Sequence, residues 1–306
     1  MNFKTELSVN QPIKLDSKFK VQLFIKREDR IHTFISGNKY RKLKYNIEAA
    51  KKQKCKTLLT FGGAFSNHIA AVASLGKEFG FETIGIIRGE ELLEKVTSNP
   101  TLKFAQECGM HFKFVSREIY RNKENEDFIQ DLKNEFSDFY LLPEGGTNVL
   151  AIKGCEEILT ETDLNFDYIC CSVGTGGTIS GLINCSKPSQ QILGFSALKG
   201  SFLKEDIGKF ANKQNWQLLT DYHFGGYAKI NEALISFINE FDKNHNVLLD
   251  PVYTGKMMFG IFDLIEKGYF SEGSKILAIH TGGLQGIEGM NMVLKTKGLP
   301  LINLNK

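Results

Sequence analysis

A chain of 306 residues with 42% hydrophobic and 24% charged side chains is long enough to bury a substantial core and has the make-up of an ordinary globular protein. Its net charge of +3 is small and its Lys and Arg are mixed with acids, which argues against nucleic acid or a membrane surface as a partner. The six cysteines, at 55, 108, 155, 170, 171 and 185, have no CxxC spacing, and the adjacent pair lies in an apolar run whose neighbours point to opposite faces. No metal site is therefore expected, and the cysteines read as reduced, structural residues of a cytoplasmic protein. No signal peptide is expected, and no apolar run reaches membrane-spanning length.

In chain order, residues 1–20 read as irregular. The apolar run 21–25 meets Lys26-Arg27-Glu28-Asp29 and is expected to be a strand ending in a charged turn. Ser36-Gly37-Asn38-Lys39 then opens a helical pattern in which Tyr40, Leu43, Ile47 and Ala50 make one apolar stripe, with Ser36 and Asn38 as capping candidates. Lys39 falls in the first turn, where the helix N-terminus and the charges of Arg41 and Lys42 disfavour a further cation and lower an amine pKa. A neutral amine there can form a Schiff base or take a proton. Taken alone, the stretch reads more readily as a solvated basic face.

Strands at 57–61, 83–87, 111–115 and 139–142 alternate with helices at 65–79, 100–107 and 126–135, the signature of a parallel, helix-covered sheet. A helix opening at 145–148 runs to about 160. A strongly apolar strand at 167–173 enters Gly174-Thr175-Gly176-Gly177-Thr178, and a helix begins near 179. A strand at 191–197, a less regular stretch at 200–228, helices at 230–242 and 256–267 and a strand at 275–280 complete the pattern.

Four Gly-, Ser-, Thr- or Asn-rich turns, at 62–68, 174–178, 250–255 and 281–283, fall at strand exits or helix entrances, where open parallel sheets bind ligands. Gly174, Thr175, Gly176, Gly177 and Thr178 suit an anion, since glycines free backbone N–H groups and a helix N-terminus follows. A plain tight turn is the alternative. No Gly-Lys-Ser/Thr follows, so it is not a Walker loop, and Ile179 at the third glycine position argues against a dinucleotide fingerprint. The N–H groups around Ser66 suit a carboxylate; Ser66 itself can be a cap, a donor or a nucleophile. His68 can be a base or a hydrogen-bonded structural residue, and Tyr253 a general acid or a packed ring.

Taken together, Ser36-Gly-Asn-Lys39-x-Arg-Lys42-Leu, Gly62-Gly-x-x-Ser66-Asn67-His68, Asp250-Pro-Val-Tyr253-Thr254-Gly-Lys256 and His280-Thr-Gly-Gly resemble the D-cysteine desulfhydrase / 1-aminocyclopropane-1-carboxylate deaminase family of pyridoxal-phosphate (PLP) enzymes, over about residues 26–283. The resemblance implies an α/β protein with two open parallel-sheet domains of the tryptophan-synthase-β type, PLP fold type II. Residues 1–44 and 145–306 would form the large cofactor-binding domain and 45–144 a small mobile domain. By the same resemblance, Lys39 holds PLP as a Schiff base, Asn67 lies beside the ring hydroxyl, and 174–178 is the phosphate cup. Ser66, Asn67, His68 and Tyr253 then lie near a small amino-acid substrate, with Ser66 and Tyr253 in catalytic positions, and the protein is a homodimer.

Deaminases of that family tend to follow the tyrosine with a Glu that pairs with the pyridine nitrogen. Here a hydroxyl, from Thr254 or Thr281, would stand there and leave the ring a weaker electron sink. That favours β-elimination, with D-cysteine going to pyruvate, sulfide and ammonia as the expected reaction. His68 and the His280-Thr281 end lean the same way. Ile69-Ala70-Ala71 departs from the family's more polar continuation, and the Ile-Ser-Gly-Leu after the 174–178 loop looks closer to cysteine-synthase relatives. Opening of a cyclopropane amino acid, cysteine-synthase-like β-replacement, and non-catalytic binding of PLP or another phosphate remain the alternatives.

Overall fold

A computed structural model describes residues 3–200 and 203–304. The strands are β1 (Asn10–Ile13), β2 (Gln22–Lys26), β3 (Thr57–Gly62), β4 (Glu82–Arg88), β5 (Met110–Val115), β6 (Tyr140–Leu142), β7 (Tyr168–Val173), β8 (Gln191–Ser196), β9 (Trp216–Leu219) and β10 (Lys275–Ile279). The helices are α1 (Asn38–Lys52), α2 (Asn67–Phe79), α3 (Pro100–Glu107), α4 (Arg117–Arg121), α5 (Glu126–Phe136), α6 (Val149–Cys155), α7 (Gly177–Cys185), α8 (Leu203–Gly208), α9 (Glu232–His245), α10 (Thr254–Glu266) and α11 (Gly286–Thr296).

The strands build two sheets, and each is covered by helices on both faces. One has the order β5-β4-β3-β6 and is wholly parallel. The other has the order β1-β2-β10-β7-β8-β9 and is parallel except for the antiparallel β1–β2 edge. Burial on both faces explains why β3 and β7 read as nearly continuous apolar runs rather than as alternation. The adjacent cysteines illustrate the geometry: Cys170 packs with β10, α9 and α10, while Cys171 packs on the opposite face with α7. All six cysteines are unpaired.

Each sheet reverses its strand order once. The chain steps outward from β3 to β4 to β5, then returns to place β6 on the other side of β3. It likewise steps from β7 to β8 to β9, then places β10 on the other side of β7. At such a reversal the connections leave in opposite directions and open a crevice beyond the carboxyl ends of the strands. The turns that follow β3, β6, β7 and β10 therefore surround the crevices of the two sheets.

Helix α1 joins the two halves. Its stripe of Tyr40, Leu43, Ile47 and Ala50 is buried against Leu58, Ile69 and Leu75 of the four-stranded half, each large side chain contributing about 1.5–3 kcal/mol. Arg41 points the other way. Its Nε and Nη2 each donate to the fully buried Glu28 carboxylate, just after β2, at 2.8 Å. The helix is continuous across residue 44, so the expected boundary between the two domains falls inside it.

The structure adds elements that the sequence pattern did not reveal. Residues 10–13 form β1 rather than irregular chain. Pro12 is tolerated because β1 is an edge strand with a partner on one side only. β9 and α8 lie in the stretch that read as less regular, and α11 follows the last strand. The expected caps Ser36 and Asn38 do not cap α1; Gly37 is its N-cap and no side chain accepts a cap hydrogen bond. Among the described residues no helix is long and apolar enough to cross a membrane.

Replacing Glu28 by Ala removes both short hydrogen bonds of the buried Arg41 guanidinium and leaves it only the Glu157 carboxylate, 3.8 Å from its Nη1. Glu28→Ala should therefore lose about 3–5 kcal/mol of unfolding free energy in urea titration. A loss under about 1 kcal/mol would show that the pair does not anchor α1.

Candidate active site

A cleft of about 890 Å³ lies between the two halves. It is lined by all the residues singled out from the sequence: Lys39, the Ser66-Asn67-His68 helix start, the 174–178 loop, Tyr253 and Thr281. Thr254 is the exception among the residues considered. It is fully buried in the first turn of α10, where its hydroxyl accepts from the Asp250 amide at 2.9 Å, and it does not line the cleft.

Lys39 is set by the entry of α1. Gly37 takes φ +57°, and a Cβ there would lie 2.2 Å from the Thr281 carbonyl oxygen, so only glycine lets α1 start against the end of β10. The Lys39 amine donates to Asn38 Oδ1 at 3.1 Å, and the Asn38 amide donates to Thr178 Oγ1 at 2.9 Å. Desolvation, and then the charge of Lys42, lower the Lys39 pKa to about 7. Arg41, expected to share in this, is not among the main causes, and its guanidinium is turned to Glu28.

Lys42 lies one turn further on, 2% exposed, with its pKa also lowered by burial. Its ammonium donates to Gly145 O and Thr147 Oγ1 at 2.9 Å each and to Thr175 Oγ1 at 3.3 Å. The Thr147 and Thr175 hydroxyls are 2.6 Å apart. Gly177 is the first residue of α7; a Cβ there would come within 2.8 Å of Thr147 Oγ1 and 3.1 Å of Lys42 Nζ. A cation, hydroxyls and the open N-terminus of α7 thus meet around a backbone with no room for side chains.

On the opposite wall, Ser66 is the N-cap of α2 and accepts from the Ile69 amide at 3.3 Å. Asn67 opens the helix and accepts from Gln285 at 3.3 Å. His68 is 2% exposed. Thr60 Oγ1 donates to Leu142 O, so the 2.9 Å contact between His68 and Thr60 has His68 Nε2 as donor. Nδ1 is then a bare, buried acceptor. Burial first, then Lys39 and Lys42, hold the His68 pKa well below its usual value, so the ring is neutral.

Tyr253 stands at the entrance of α10. Asp250 Oδ1 accepts from the Val252 and Tyr253 amides at 2.7 and 2.9 Å and shapes this turn. Burial, then Tyr227 and Asp250, push the Tyr253 phenol well above its usual pKa, so it remains a proton donor. Tyr227 packs edge to face against it, with ring centroids 6.3 Å apart. The segment carrying Tyr227 is tied from beneath by Lys256, whose buried ammonium donates to His223 O at 2.9 Å and Gly226 O at 2.8 Å.

Several cleft residues escape sequence reasoning as site residues, Thr147 beside Lys42 among them. Tyr227 and Arg88 sit on irregular chain and at a strand end, with no periodicity to mark them. Ser172 lies inside an apolar strand, its hydroxyl 3.3 Å from that of Thr281. Lys42 was legible only as a neighbour of Lys39.

This arrangement has a counterpart among known proteins. Residues 8–282 match the family model described as pyridoxal-phosphate dependent enzyme. The chain belongs to that family. This PLP-dependent enzyme is 31% identical over 287 residues to a protein of Pyrococcus horikoshii that carries the provisional name 1-aminocyclopropane-1-carboxylate deaminase, with 86% of this chain and 85% of that one covered. It is 30% identical over 293 residues to the mitochondrial bifunctional D-cysteine desulfhydrase/1-aminocyclopropane-1-carboxylate deaminase of Arabidopsis thaliana, covering 87% and 73% of the two chains. A crystal structure of a 1-aminocyclopropane-1-carboxylate deaminase homologue superposes with a TM-score of 0.80 at 27% identity, over 91% of this chain and 90% of that one. The fold is PLP fold type II.

The donor set fits the cofactor. An amine with a pKa near 7 suits an aldehyde, and Lys42 with the Thr147, Thr175 and Thr178 hydroxyls at the start of α7 suits a phosphate.

Only the neutral amine is nucleophilic, and Lys39 becomes neutral as pH rises through about 7, whereas ordinary lysines stay charged to about pH 10. In the cofactor-free protein, amine acylation followed by peptide mass spectrometry should give Lys39 a labelling midpoint near pH 7. A midpoint near 10 would refute the desolvated environment.

Proposed function

We propose that this enzyme catalyses β-elimination and deamination of a small amino acid, with D-cysteine the best candidate, which reacts with water to give pyruvate, sulfide and ammonia. The observation that carries the proposal is the Lys39 amine, whose pKa of about 7 lies beside an anion cup. Bound PLP supplies an aldehyde for amines and an electron-withdrawing ring that stabilises negative charge at the α-carbon. Lys39 would hold the cofactor through Nζ, and the same Nζ, when free, would take the α-proton of the substrate. Gly174, Thr175, Gly176, Gly177 and Thr178, with Lys42, hold the phosphate.

The amides at the start of α2, with Ser66 and Asn67, bind the substrate carboxylate, and Asn67 also borders the ring hydroxyl. His68 is neutral and lends this wall an acceptor rather than a charge. Tyr253, kept protonated, donates a proton at the leaving-group end. Of the two hydroxyls, Thr281 lines the cleft and would be the one to serve the pyridine nitrogen, whereas Thr254 is committed to the Asp250 turn. A hydroxyl there provides no countercharge, so elimination of a good leaving group is favoured over opening a strained ring. Residues 45–144 act as a mobile unit that closes over substrate and excludes water. The enzyme acts as a cytoplasmic homodimer, in keeping with the family resemblance and the unpaired cysteines.

The relatives named as deaminases favour a second reading, in which a cyclopropane amino acid goes to a 2-oxo acid and ammonia. Purified holoenzyme should be offered D-cysteine, L-cysteine and 1-aminocyclopropane-1-carboxylate separately, with sulfide and 2-oxo acid assayed. Sulfide and pyruvate from D-cysteine are expected; turnover of the cyclopropane acid alone would replace the first reading by the second. Protein that stays colourless with PLP would refute both. Lys39→Ala should lower turnover by at least about 10²-fold, and a borohydride-reducible cofactor link that survives in it would identify a different lysine.

A further inference from the structure

Arg88 is the last residue of β4 and lines the cleft, yet no part of the proposed chemistry uses it. Its Nη2 lies 3.6 Å from the position a Cβ on Gly63 would take, so it hangs over the turn that leads to Ser66. Its guanidinium carbon lies over the Tyr120 ring, 5.7 Å from its centre. Its charge also acts on the Tyr227 hydroxyl, opposing the desolvation that raises that phenol's pKa. Arg88 is thus an exposed residue of the cleft wall, beside Tyr120 and within electrostatic reach of Tyr227.

The acids around it are already taken. Glu91 pairs with Arg117, and Glu144 receives Lys123 at 3.2 Å and the Tyr120 hydroxyl at 2.8 Å. Among the described residues no carboxylate pairs with Arg88. A planar fork of donors facing a cleft and lacking an acid matches a carboxylate or phosphate group in geometry and charge. The amino group, the carboxylate and the α-carbon of a substrate already have partners deeper in the cleft. The end that remains is the side chain.

We propose that Arg88 is a specificity-determining residue that binds a negatively charged group on the side chain of the amino-acid substrate. The inference rests on the PLP amino-acid reading but not on D-cysteine being the substrate. It covers a thiolate, a carboxylate or a phosphate at that end and ranks the permanently charged groups highest.

The test is calorimetric titration of the holoenzyme with aspartate against asparagine and with O-phosphoserine against serine, each as both enantiomers. Within each pair the backbone is the same and the side-chain charge differs. The charged member of at least one pair should bind about tenfold tighter or better. Arg88→Ala should abolish that preference, and Arg88→Lys should keep part of it, retaining the charge while losing the fork. Added salt should weaken the preference in the parent protein. Equal affinities within both pairs, failure of every ligand to bind a holoenzyme that is yellow with PLP, or a preference that survives Arg88→Ala would overturn the assignment of Arg88 alone. Protein that takes up no PLP overturns this assignment together with the proposed function.

Discussion

Every functional distance in the cleft is referred to one close approach, that of Gly37 to the carbonyl of Thr281. The Asn38 amide donates to the same oxygen at 3.4 Å, and the Asn38 side chain reaches across to Thr178. The first turn of α1 is therefore fastened to the exit of β10 and the start of α7 together. From Tyr40 onward the same element packs its apolar stripe into the other half of the molecule. One helix carries the reactive amine, spans both halves, and is oriented by a buried ion pair to Glu28 that faces away from the site.

The electrostatics of the cleft follow from that arrangement. Two amines one turn apart share a desolvated pocket, and the single imidazole within reach is held neutral. Lys42 is kept in place by three oxygens, and Lys39 by one amide oxygen. The first is thus arranged as a fixed charge and the second as a group free to react. Desolvation is the largest cause of both shifts. The depth of the cleft, more than the number of neighbouring charges, is what gives Lys39 its chemistry.

The parallel sheets, the Lys39 helix and the Gly-rich turns were legible in the sequence because local physics dictates them. Strands buried on two faces need apolar runs, α1 needs its stripe, and backbone crowding at strand exits needs glycine. The rest depends on packing that no local pattern records. β1 contains a proline and β9 is short, so neither has a strand signature. α11 carries Gly286 and Gly289, which lower its helix propensity, the latter lying against the Phe65 ring. Arg88 is one arginine among many charged residues until the fold sets it beside Tyr120 and Tyr227. The charges of Arg41 and Lys42 look alike from the sequence, and only the tertiary structure sends one to Glu28 and the other to the cleft.

The tether beneath Tyr227 divides two duties between separate parts of the chain. Lys256 grips the segment through the main-chain carbonyls of His223 and Gly226, which every amino acid possesses. At this lip Phe224, Gly225, Gly226 and Ala228 all take positive φ, so the backbone path constrains those residues, and Tyr227 is the position between them without that constraint. A change at Tyr227 alters the wall beside Tyr253 while the lysine, the phosphate cup and the helix that supports them stay in place. Such a position is a natural place for related enzymes to diverge in substrate and a practical one for directed randomisation.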